Sequence, residues 1–249
     1  MPIYGLLGYP LTHSFSKVYF TEKFLKEGRE DCSYINLELK NISDLPEVLS
    51  GIQPAGFNVT IPYKEAILPF LNSLSTEAEK IGAVNTVVRD DDGKLMGYNT
   101  DYIGFKETLL PLLKSHHRAA LILGSGGASK AVAMVLKDLG ITYRIVSRSK
   151  TGSAFLRYEE LNEDLISAHP LLINTTPLGT TPDIHLAPEI PYTALSAQHL
   201  LFDLVYNPAT TMFMQKGIEK GSQVSNGYAM LICQAEAAWK IWNAKTNAS

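Results

Sequence analysis

The sequence predicts an α/β protein with largely parallel sheets, on the strength of three observations. Strand-like and helix-like segments alternate along the chain, which favours crossover connections between parallel strands. A glycine-rich turn, GSGGAS at 124–129, stands between a strand-like segment and a helix-like one. Short polar clusters follow several predicted strands, and open α/β sheets bind ligands outside the carboxyl ends of their strands. Together these observations indicate two α/β domains.

Composition limits the class of protein. The chain has 249 residues, 45% of them hydrophobic, and a formal net charge of −3. The charge gives no reason to expect nucleic acid or an anionic membrane as a partner. No apolar run approaches the roughly 20 residues of a membrane helix, and no basic segment precedes the first apolar one, so we expect no secretory signal. Cys32 and Cys233 lie far apart in sequence, which predicts neither a disulfide framework nor a metal site and favours the cytoplasm.

The first half of the chain alternates strands and helices. Within NVTIPYKE (58–65), Val59 and Ile61 alternate with polar residues, which is the period of a half-buried strand, and Pro62 ends it. The Asp-Asp-Gly in 90–93 predicts a hairpin turn. The predicted elements are strands at 3–8, 33–39, 56–61, 83–89 and 94–99, and helices at 16–26, near 45–49 and at 102–113.

The second half begins after the polar stretch KSHHR (114–118), a candidate linker. A strand, a glycine-rich turn, a helix and a second strand follow within 119–149. Two further strands are predicted in 171–177 and 200–208, and an amphipathic helix at 228–243. We find no internal repeat in the sequence.

The glycine-rich turn has the context of a dinucleotide site. Gly124 would permit a tight turn, and Gly126 would allow the backbone to approach a pyrophosphate at the N-terminus of the following helix. Ser129 occupies the place of the usual third glycine, while Ala128 is small enough for close packing. The alternative is a strand-to-helix turn without a ligand.

The segment after the second strand favours NADP over NAD. An NAD site normally carries an acidic residue there, and this chain has Ser147-Arg148-Ser149-Lys150 instead. The planar fork of Arg148 suits a 2′-phosphate. The alternative for Arg148 is a solvated surface charge.

Four stretches of the N-terminal half carry a resemblance: GYPLTHSFS (8–16), NVTIPYKE (58–65), GAVNTV (82–87) and GYNTDYIGF (97–105). In this combination and order they resemble the shikimate dehydrogenase family, and the resemblance continues through INTTPLG, DLVYNP and NGYAMLICQA. It implies an N-terminal α/β substrate domain at 1–101, a C-terminal Rossmann domain at 102–227, and an active site in the cleft between them. The last helix, 228–249, is then expected to pack on the first domain.

The resemblance implies an NADP-dependent oxidoreductase, a shikimate dehydrogenase, that reversibly reduces 3-dehydroshikimate to shikimate in aromatic amino acid biosynthesis. Lys64 and Asp101 would be the catalytic pair. The substrate carboxylate and ring hydroxyls would be bound by Ser14, Ser16, Thr60, Asn85, Tyr206 and Gln234. NADP would be bound by Gly124, Ser125, Gly126, Gly127, Ala128, Ser147, Arg148, Ser149, Leu204, Gly227 and Met230. The resemblance further implies a monomer or homodimer, with no metal, nucleic acid or membrane partner.

Departures and alternatives stay open in the sequence. Lys17 stands where the family usually has proline, and Ser-Arg-Ser (147–149) replaces its Asn-Arg-Thr. A quinate/shikimate dehydrogenase using NAD and a sensor that binds NADP without turnover are alternative functions. Several of these residues could instead have a purely structural role. Lys64 could be a surface lysine, Asp101, Ser14 and Ser16 could cap helices, Met230 and Gln234 could serve helix packing, and His13 could be structural.

Overall fold

The computed structural model describes residues 1–11, 14–149 and 152–246. Contacts between Cα atoms divide the chain into two compact units, Met1–Thr100 together with the chain from Ala235, and Asp101–Gln234. His13 and Lys150 lie outside the described residues. The candidate linker 114–118 falls inside the second unit, so it does not separate the two units.

The first unit is built on one mixed sheet. The strand order is β2-β1-β3-β5-β6-β4, and β5 is antiparallel to both of its neighbours while the other pairs are parallel. Its elements up to the last strand are β1 (Ile3–Gly8), α1 (Phe15–Lys26), β2 (Ser33–Glu38), α2 (Leu45–Ile52), β3 (Gly56–Val59), β4 (Ser73–Leu74), α3 (Thr76–Ile81), β5 (Thr86–Arg89) and β6 (Leu95–Tyr98).

The predicted hairpin is confirmed between β5 and β6. Arg89 pairs with Leu95 across the turn, and Gly93 N donates to Asp90 O at 3.0 Å. Gly93 has φ +80°, a conformation that glycine adopts without steric cost. The turn chemistry read from the sequence therefore sets the register of this pair.

The C-terminal part of α8 (Tyr228–Thr246) packs on the first unit through Trp242. The Trp242 indole Nε1 donates to Val87 O at 3.0 Å, which satisfies its polar group while the ring stays buried. Trp242 also lies against β3 at Gly56, where a Cβ would approach the indole Nε1 to 2.4 Å. Glycine is required at this position because the indole occupies the space of a side chain.

The second unit is a parallel sheet with the strand order β12-β11-β10-β7-β8-β9. The chain leaves β7 in one direction across the sheet and returns through β10 in the other, so the switch point lies between these two strands. The elements are α4 (Thr100–Leu109), β7 (Ala119–Leu123), α5 (Gly127–Asp138), β8 (Thr142–Val146), β9 (Phe155–Leu156), α6 (Glu163–Ala168), β10 (Leu171–Asn174), β11 (Leu200–Asp203), α7 (Met212–Ile218) and β12 (Gln223–Ser225).

Apolar cores cover both faces of this parallel sheet. On one face Phe105 meets Phe202 edge to face, with ring centroids 5.1 Å apart. On the other face Phe213 packs against strand residues such as Leu201. Burial on both faces explains why β7, β10 and β11 are continuous apolar runs rather than alternating ones.

Two buried histidines close similar turns before β7 and β11. Lys114 N donates to His117 Nδ1 at 3.0 Å, and His117 N donates back to Lys114 O at 3.0 Å. Ser196 and His199 repeat this arrangement at 3.1 and 3.0 Å. Each Nδ1 accepts a hydrogen bond from a backbone N–H, an arrangement that fits the tautomer with its proton on Nε2.

Several boundaries differ from the sequence-based expectation. The predicted strand 56–61 ends at Val59: Thr60 N still donates to Leu7 O of β1, but Tyr63 N donates to Thr60 O, so the chain enters a turn there. Ile61 is 67% exposed and lies beyond the end of β3, so its predicted place in a half-buried strand was wrong. The helix expected at 102–113 spans Thr100–Leu109 and tightens into a 3-10 turn at Leu110–Leu112.

Candidate active site

The turn after β3 holds two predicted site residues, Thr60 and Lys64, at the carboxyl edge of the first sheet. Both side chains are half-buried. The backbone of Lys64 is fixed because Val84 N donates to Lys64 O at 2.7 Å. The turn thus ties this lysine to the segment that leads into Asn85.

Asn85 is at the centre of a buried polar network. Its Oδ1 accepts hydrogen bonds from Thr100 N at 2.7 Å and from Thr100 Oγ1 at 3.2 Å. Asn58 Nδ2 donates to Asn85 O and to Thr86 Oγ1, both at 3.2 Å, while Tyr34 donates to Asn58 Oδ1 at 2.9 Å. These bonds satisfy amide groups that would otherwise be costly to bury.

Asp101 directly follows Thr100 and is 7% exposed. The alternative of a helix cap does not hold, because α4 begins at Thr100 and places Asp101 within its first turn. An acidic residue there is favoured by the helix dipole. The backbone that carries Asp101 is therefore held one residue earlier by Asn85 Oδ1.

Ser14 caps α1, as one interpretation of the sequence had it. Its Oγ accepts a hydrogen bond from Lys17 N at 3.2 Å, which leaves its O–H as a donor. The half-buried Ser16 hydroxyl bonds to Tyr34, which partly offsets the upward shift that burial imposes on the Tyr34 pKa. Lys17 is exposed in the first turn of the same helix.

The glycine-rich turn of the second unit lies at the switch point between β7 and β10. Gly124 has φ +111°, and a Cβ there would lie 2.7 Å from Thr175 Oγ1. A side chain is therefore excluded at this position on two grounds. Gly126 is the N-cap of α5 and faces open space, because no atom would approach a Cβ there within 4 Å.

Helix α5 begins at Gly127, inside the predicted glycine-rich turn, so Gly127 and Ala128 belong to its first turn. Ser129, the residue in place of a third glycine, is buried and donates to Gly126 O at 2.6 Å. The N-terminus of a helix carries N–H groups without helical partners, so the open space beside Gly126 fits a pyrophosphate.

In the segment after β8, Ser147 is buried, whereas Arg148 and Ser149 are exposed. Ser147 Oγ lies 2.9 Å from Ser125 Oγ and accepts from Ser149 N at 3.3 Å. The side chains of Arg148 and Ser149 are exposed. Ser147 therefore joins the glycine-rich turn to the next segment, while Arg148 is accessible to an anionic group.

Gly227 lies against the segment after β11. A Cβ there would stand 2.1 Å from Leu204 O, so the close approach of the two backbones requires glycine. Gly227 N donates to Val205 O at 3.1 Å, and Leu204 N donates to Asn174 O at 2.9 Å. Tyr206 follows in this segment, and burial raises the pKa of its hydroxyl.

Met230 and Gln234 lie one turn apart on α8, where this helix crosses α4. A Cβ at Gly104 would stand 2.7 Å from Met230 O and 3.1 Å from Gln234 Cβ. Met230 is buried in the core beside Phe202, so helix packing is part of its role. Gln234 Nε2 donates to Leu231 O at 3.0 Å.

One buried polar group escaped the sequence analysis. Asp203 accepts from Asn174 Nδ2 at 2.9 Å, from Val205 N at 3.0 Å and from Thr211 Oγ1 at 2.6 Å. Burial raises the pKa of Asp203 to about 6, although these donors oppose the shift. Its sequence signal was a polar residue ending each of two apolar strands, LLIN and LLFD.

The described residues contain neither a metal-binding cluster nor a membrane-spanning helix. Within 1–11, 14–149 and 152–246, histidine, cysteine and acidic side chains form no group of three or more that could hold a metal ion. None of the helices described in these ranges combines the length and apolar character needed to cross a bilayer.

Comparison with known proteins identifies the family. Residues 6–87 match the family model of the shikimate dehydrogenase substrate binding domain. Over 258 residues the chain is 38% identical to the shikimate dehydrogenase (NADP(+)) of Carboxydothermus hydrogenoformans, covering 96% of this chain and 90% of that relative. The chain belongs to the shikimate dehydrogenase family.

Solved structures of the family share the fold. Shikimate 5-dehydrogenase from Thermus thermophilus, in complex with NADP(H) and shikimate, has a TM-score of 0.85 at 32% identity and covers 98% of this chain and 94% of that chain. Quinate dehydrogenase from Corynebacterium glutamicum, in complex with NAD, has a TM-score of 0.86 at 27% identity, with coverages of 98% and 94%. The predicted family, fold class, oxidoreductase class and NADP as the family's cofactor are confirmed. The individual site residues and domain limits stay predictions.

Proposed function

We propose that the chain catalyses the NADP-dependent, reversible reduction of 3-dehydroshikimate to shikimate in aromatic amino acid biosynthesis. The observation that carries the proposal is the polar network around Asn85, which fixes the backbone from which Asp101 follows. Family membership supplies the reaction, and the fixed backbone supplies the order that a catalytic group needs. We assign residues 1–101 to substrate binding and 102–227 to NADP binding.

Lys64 and Asp101 are assigned to the proton. When bound, the nicotinamide carries the hydride. Reduction of a ketone leaves negative charge on its oxygen, and the Lys64 ammonium donates a proton to that oxygen. The Asp101 carboxylate accepts a hydrogen bond from the same hydroxyl or from the ammonium, so the two groups act as one coupled pair.

The substrate is assigned to neutral donors in addition to this pair. Ser14 can cap α1 and still donate its hydroxyl proton to a carboxylate, since the cap uses Oγ as an acceptor. Neutral donors bind the substrate without placing a fixed charge beside the hydride path. The proposed substrate ligands are Ser14, Ser16, Thr60, Asn85, Tyr206 and Gln234.

NADP is assigned to three places along the carboxyl edge of the second sheet. The pyrophosphate is assigned to the turn from Gly124 to Ala128, because Gly126 faces open space at the N-terminus of α5. The 2′-phosphate is assigned to Arg148 and Ser149, positioned by Ser147. The nicotinamide is assigned to the segment of Leu204, Gly227 and Met230.

The test is NADPH formation from shikimate, run beside quinate and beside NAD. We expect turnover with shikimate and NADP that falls by roughly 10²- to 10⁴-fold in Lys64→Ala. Lys80→Ala is the matched control, since Lys80 is an exposed lysine on α3 of the same unit. Equal activity of both variants would remove Lys64 from the mechanism, and NADP binding without turnover would favour a sensor.

A quinate dehydrogenase that uses NAD is the second candidate, because such an enzyme shares the fold at 27% identity. Exposed Arg148 argues for NADP instead. Quinate turnover with NAD exceeding shikimate turnover with NADP would replace the first proposal with this one. A cytoplasmic location and a monomer or homodimer complete the proposal, and sedimentation would decide the assembly.

A further inference from the structure

Lys17 stands beside a proposed carboxylate ligand at the start of α1. It is the third residue of this helix, and its backbone N–H is the group that donates to Ser14 Oγ at 3.2 Å. A substrate oxygen that accepts the Ser14 hydroxyl proton lies about 2.7 Å from Oγ, and therefore within roughly 6 Å of Lys17 N. The flexible four-carbon stem of lysine can carry its ammonium over such a distance.

The stability of α1 does not explain a lysine at this position. The first turn of a helix carries a partial positive charge, which disfavours a cation there. The first turn of α1 contains no acidic residue to compensate. Lys23 and Lys26, in contrast, occupy the last turn, where the helix dipole favours lysine. The charge of Lys17 therefore points to a role outside the helix.

The ammonium of Lys17 forms no ion pair with the residues that the structure describes. The positions three and four residues further along α1, which a helix brings beside it, hold Phe20 and Thr21. The acidic partner that α8 presents to α1, Glu236, is bound by Lys23 at 2.8 Å. Since Lys17 is exposed, its charge is available to an anion that arrives from solution.

We infer that Lys17 recognises the carboxylate of the substrate by its charge, and that it makes the enzyme select a carboxylate-bearing ring over a neutral one. The inference rests on the proposed function, in which Ser14 binds that carboxylate. The serine is a neutral donor that fixes the position of the group, and the lysine adds an attraction that acts over a longer distance. This attraction offsets the formal net charge of the chain, −3, which repels an anionic substrate.

This charge should act on substrate binding and not on hydride transfer. The carboxylate is separate from the ketone that is reduced, and it keeps its charge throughout the reaction. An interaction that is equally strong in the ground state and in the transition state changes KM and leaves kcat unaltered. We therefore expect Lys17 to set KM for the substrate with little effect on kcat.

The test compares the oxidation of shikimate with that of its methyl ester, which has the same ring without the negative charge. We expect Lys17→Gln to raise KM for shikimate about 2- to 5-fold, the size of an exposed ion pair, and to leave kcat and KM for the ester unchanged. Lys17→Glu should raise KM for shikimate further, and Lys17→Arg should resemble the wild type. Lys26→Gln is the matched control, since Lys26 is an exposed lysine at the other end of the same helix.

Salt dependence and thermal stability separate an effect of charge from an effect on structure. Between about 0.05 and 1 M NaCl, KM for shikimate should rise in the wild type and change less in Lys17→Gln, because salt screens an exposed charge. The melting temperature of Lys17→Gln should be no lower than that of the wild type, since the variant removes a cation from the positive end of the helix. A lower melting temperature with a higher KM for both substrates would instead show a structural role.

Three other results would overturn the inference: an unchanged KM for shikimate in Lys17→Gln, an equal loss for the methyl ester, or the same loss in Lys26→Gln. Titration calorimetry with shikimate in the presence of NADPH, which cannot react with it, repeats the comparison without turnover. If the wild type binds shikimate but does not oxidise it with NADP, the proposed reaction fails while calorimetry still tests Lys17. A wild type that does not bind shikimate would overturn both.

Discussion

Thr100 donates both its backbone N–H and its hydroxyl to one atom, Asn85 Oδ1, at 2.7 and 3.2 Å. Asn85 is 2% exposed, and Thr100 is fully buried at the start of α4. The next residue is Asp101. A proposed substrate ligand thus also holds the backbone of a proposed catalytic residue.

Removing this acceptor should affect stability and catalysis together. We expect Asn85→Ala to lower the free energy of unfolding by about 1–3 kcal/mol, because the Thr100 N–H would be buried without a partner. The rate of shikimate oxidation should fall as well, since Asp101 loses its anchor. Urea denaturation and steady-state kinetics measure the two effects. Thr100→Ser keeps both donors and should resemble the wild type; a loss as large as that of Asn85→Ala would contradict the hydrogen-bond account.

Two glycines of the second unit should respond in opposite ways to one methyl group. In Gly227→Ala the Cβ would meet Leu204 O at 2.1 Å, so we expect destabilisation of about 1–3 kcal/mol. In Gly126→Ala the Cβ enters open space, so stability should be retained while NADPH binding weakens. Thermal melts and NADPH titration separate the two. A stable Gly126→Ala that binds NADPH normally would remove the pyrophosphate from this turn.

The raised pKa of Asp203 should make the stability of the wild type increase from pH 7 to pH 4 relative to its Asn variant. Its pKa is raised to about 6 in the folded state, against 3.8 ordinarily, so the folded state binds the proton more tightly. The contribution is complete below pH 3.8 and is lost as the pH rises through 6. The free energy of unfolding of the wild type, relative to Asp203→Asn, should rise by up to about 3 kcal/mol from roughly pH 7 to pH 4. Asp183→Asn, at an exposed position, should show no such trend.

His117 should make the protein less stable, not more stable, as the pH falls. Burial lowers its pKa, and the charges of His116, Lys114 and His199 lower it further, while the Gln198 carbonyl opposes them. The unfolded chain then binds the proton more tightly, so this contribution is present above pH 6.5 and is lost as the pH falls below it. We expect His117→Gln to lose less stability than the wild type between about pH 7 and pH 5, by urea denaturation. The exposed His185→Gln should follow the wild type.

The sequence predicted the elements with strong periodicity and missed those whose limits depend on distant contacts. β1, the hairpin and β7 follow from local pattern and turn chemistry. The end of β3 does not, because it is set by the turn in which Tyr63 N donates to Thr60 O. Short elements such as β9, whose two residues are held by pairing with β8, carry too little periodicity to be predicted.

Among the site residues, too, those set by local pattern could be predicted and those set by distant contacts could not. Gly124 could be predicted because a strand, a tight turn and a helix demand it locally. Asp101 does not cap α4, because the helix begins one residue earlier, at Thr100. The Thr100 N–H is bound there by Asn85, 15 positions earlier in the chain. Asp203 was missed because its partners, Asn174 and Thr211, come from separate segments. Long-range polar pairing has no periodic signature in a single sequence.

Trp242 has a consequence for the order of folding during synthesis. The second unit is one continuous stretch of chain, whereas the first waits for the indole that fills the space at Gly56. Ribosomes add about 5–20 residues per second, so roughly 7 to 28 s separate the emergence of Thr100 from that of Trp242. During this interval β1, α1 and β2 expose Tyr4, Phe20 and Tyr34, the aromatic side chains that Trp242 later contacts. The first part of the chain to be made is thus the last to be completed, and a ribosome-bound chaperone would find its natural target there.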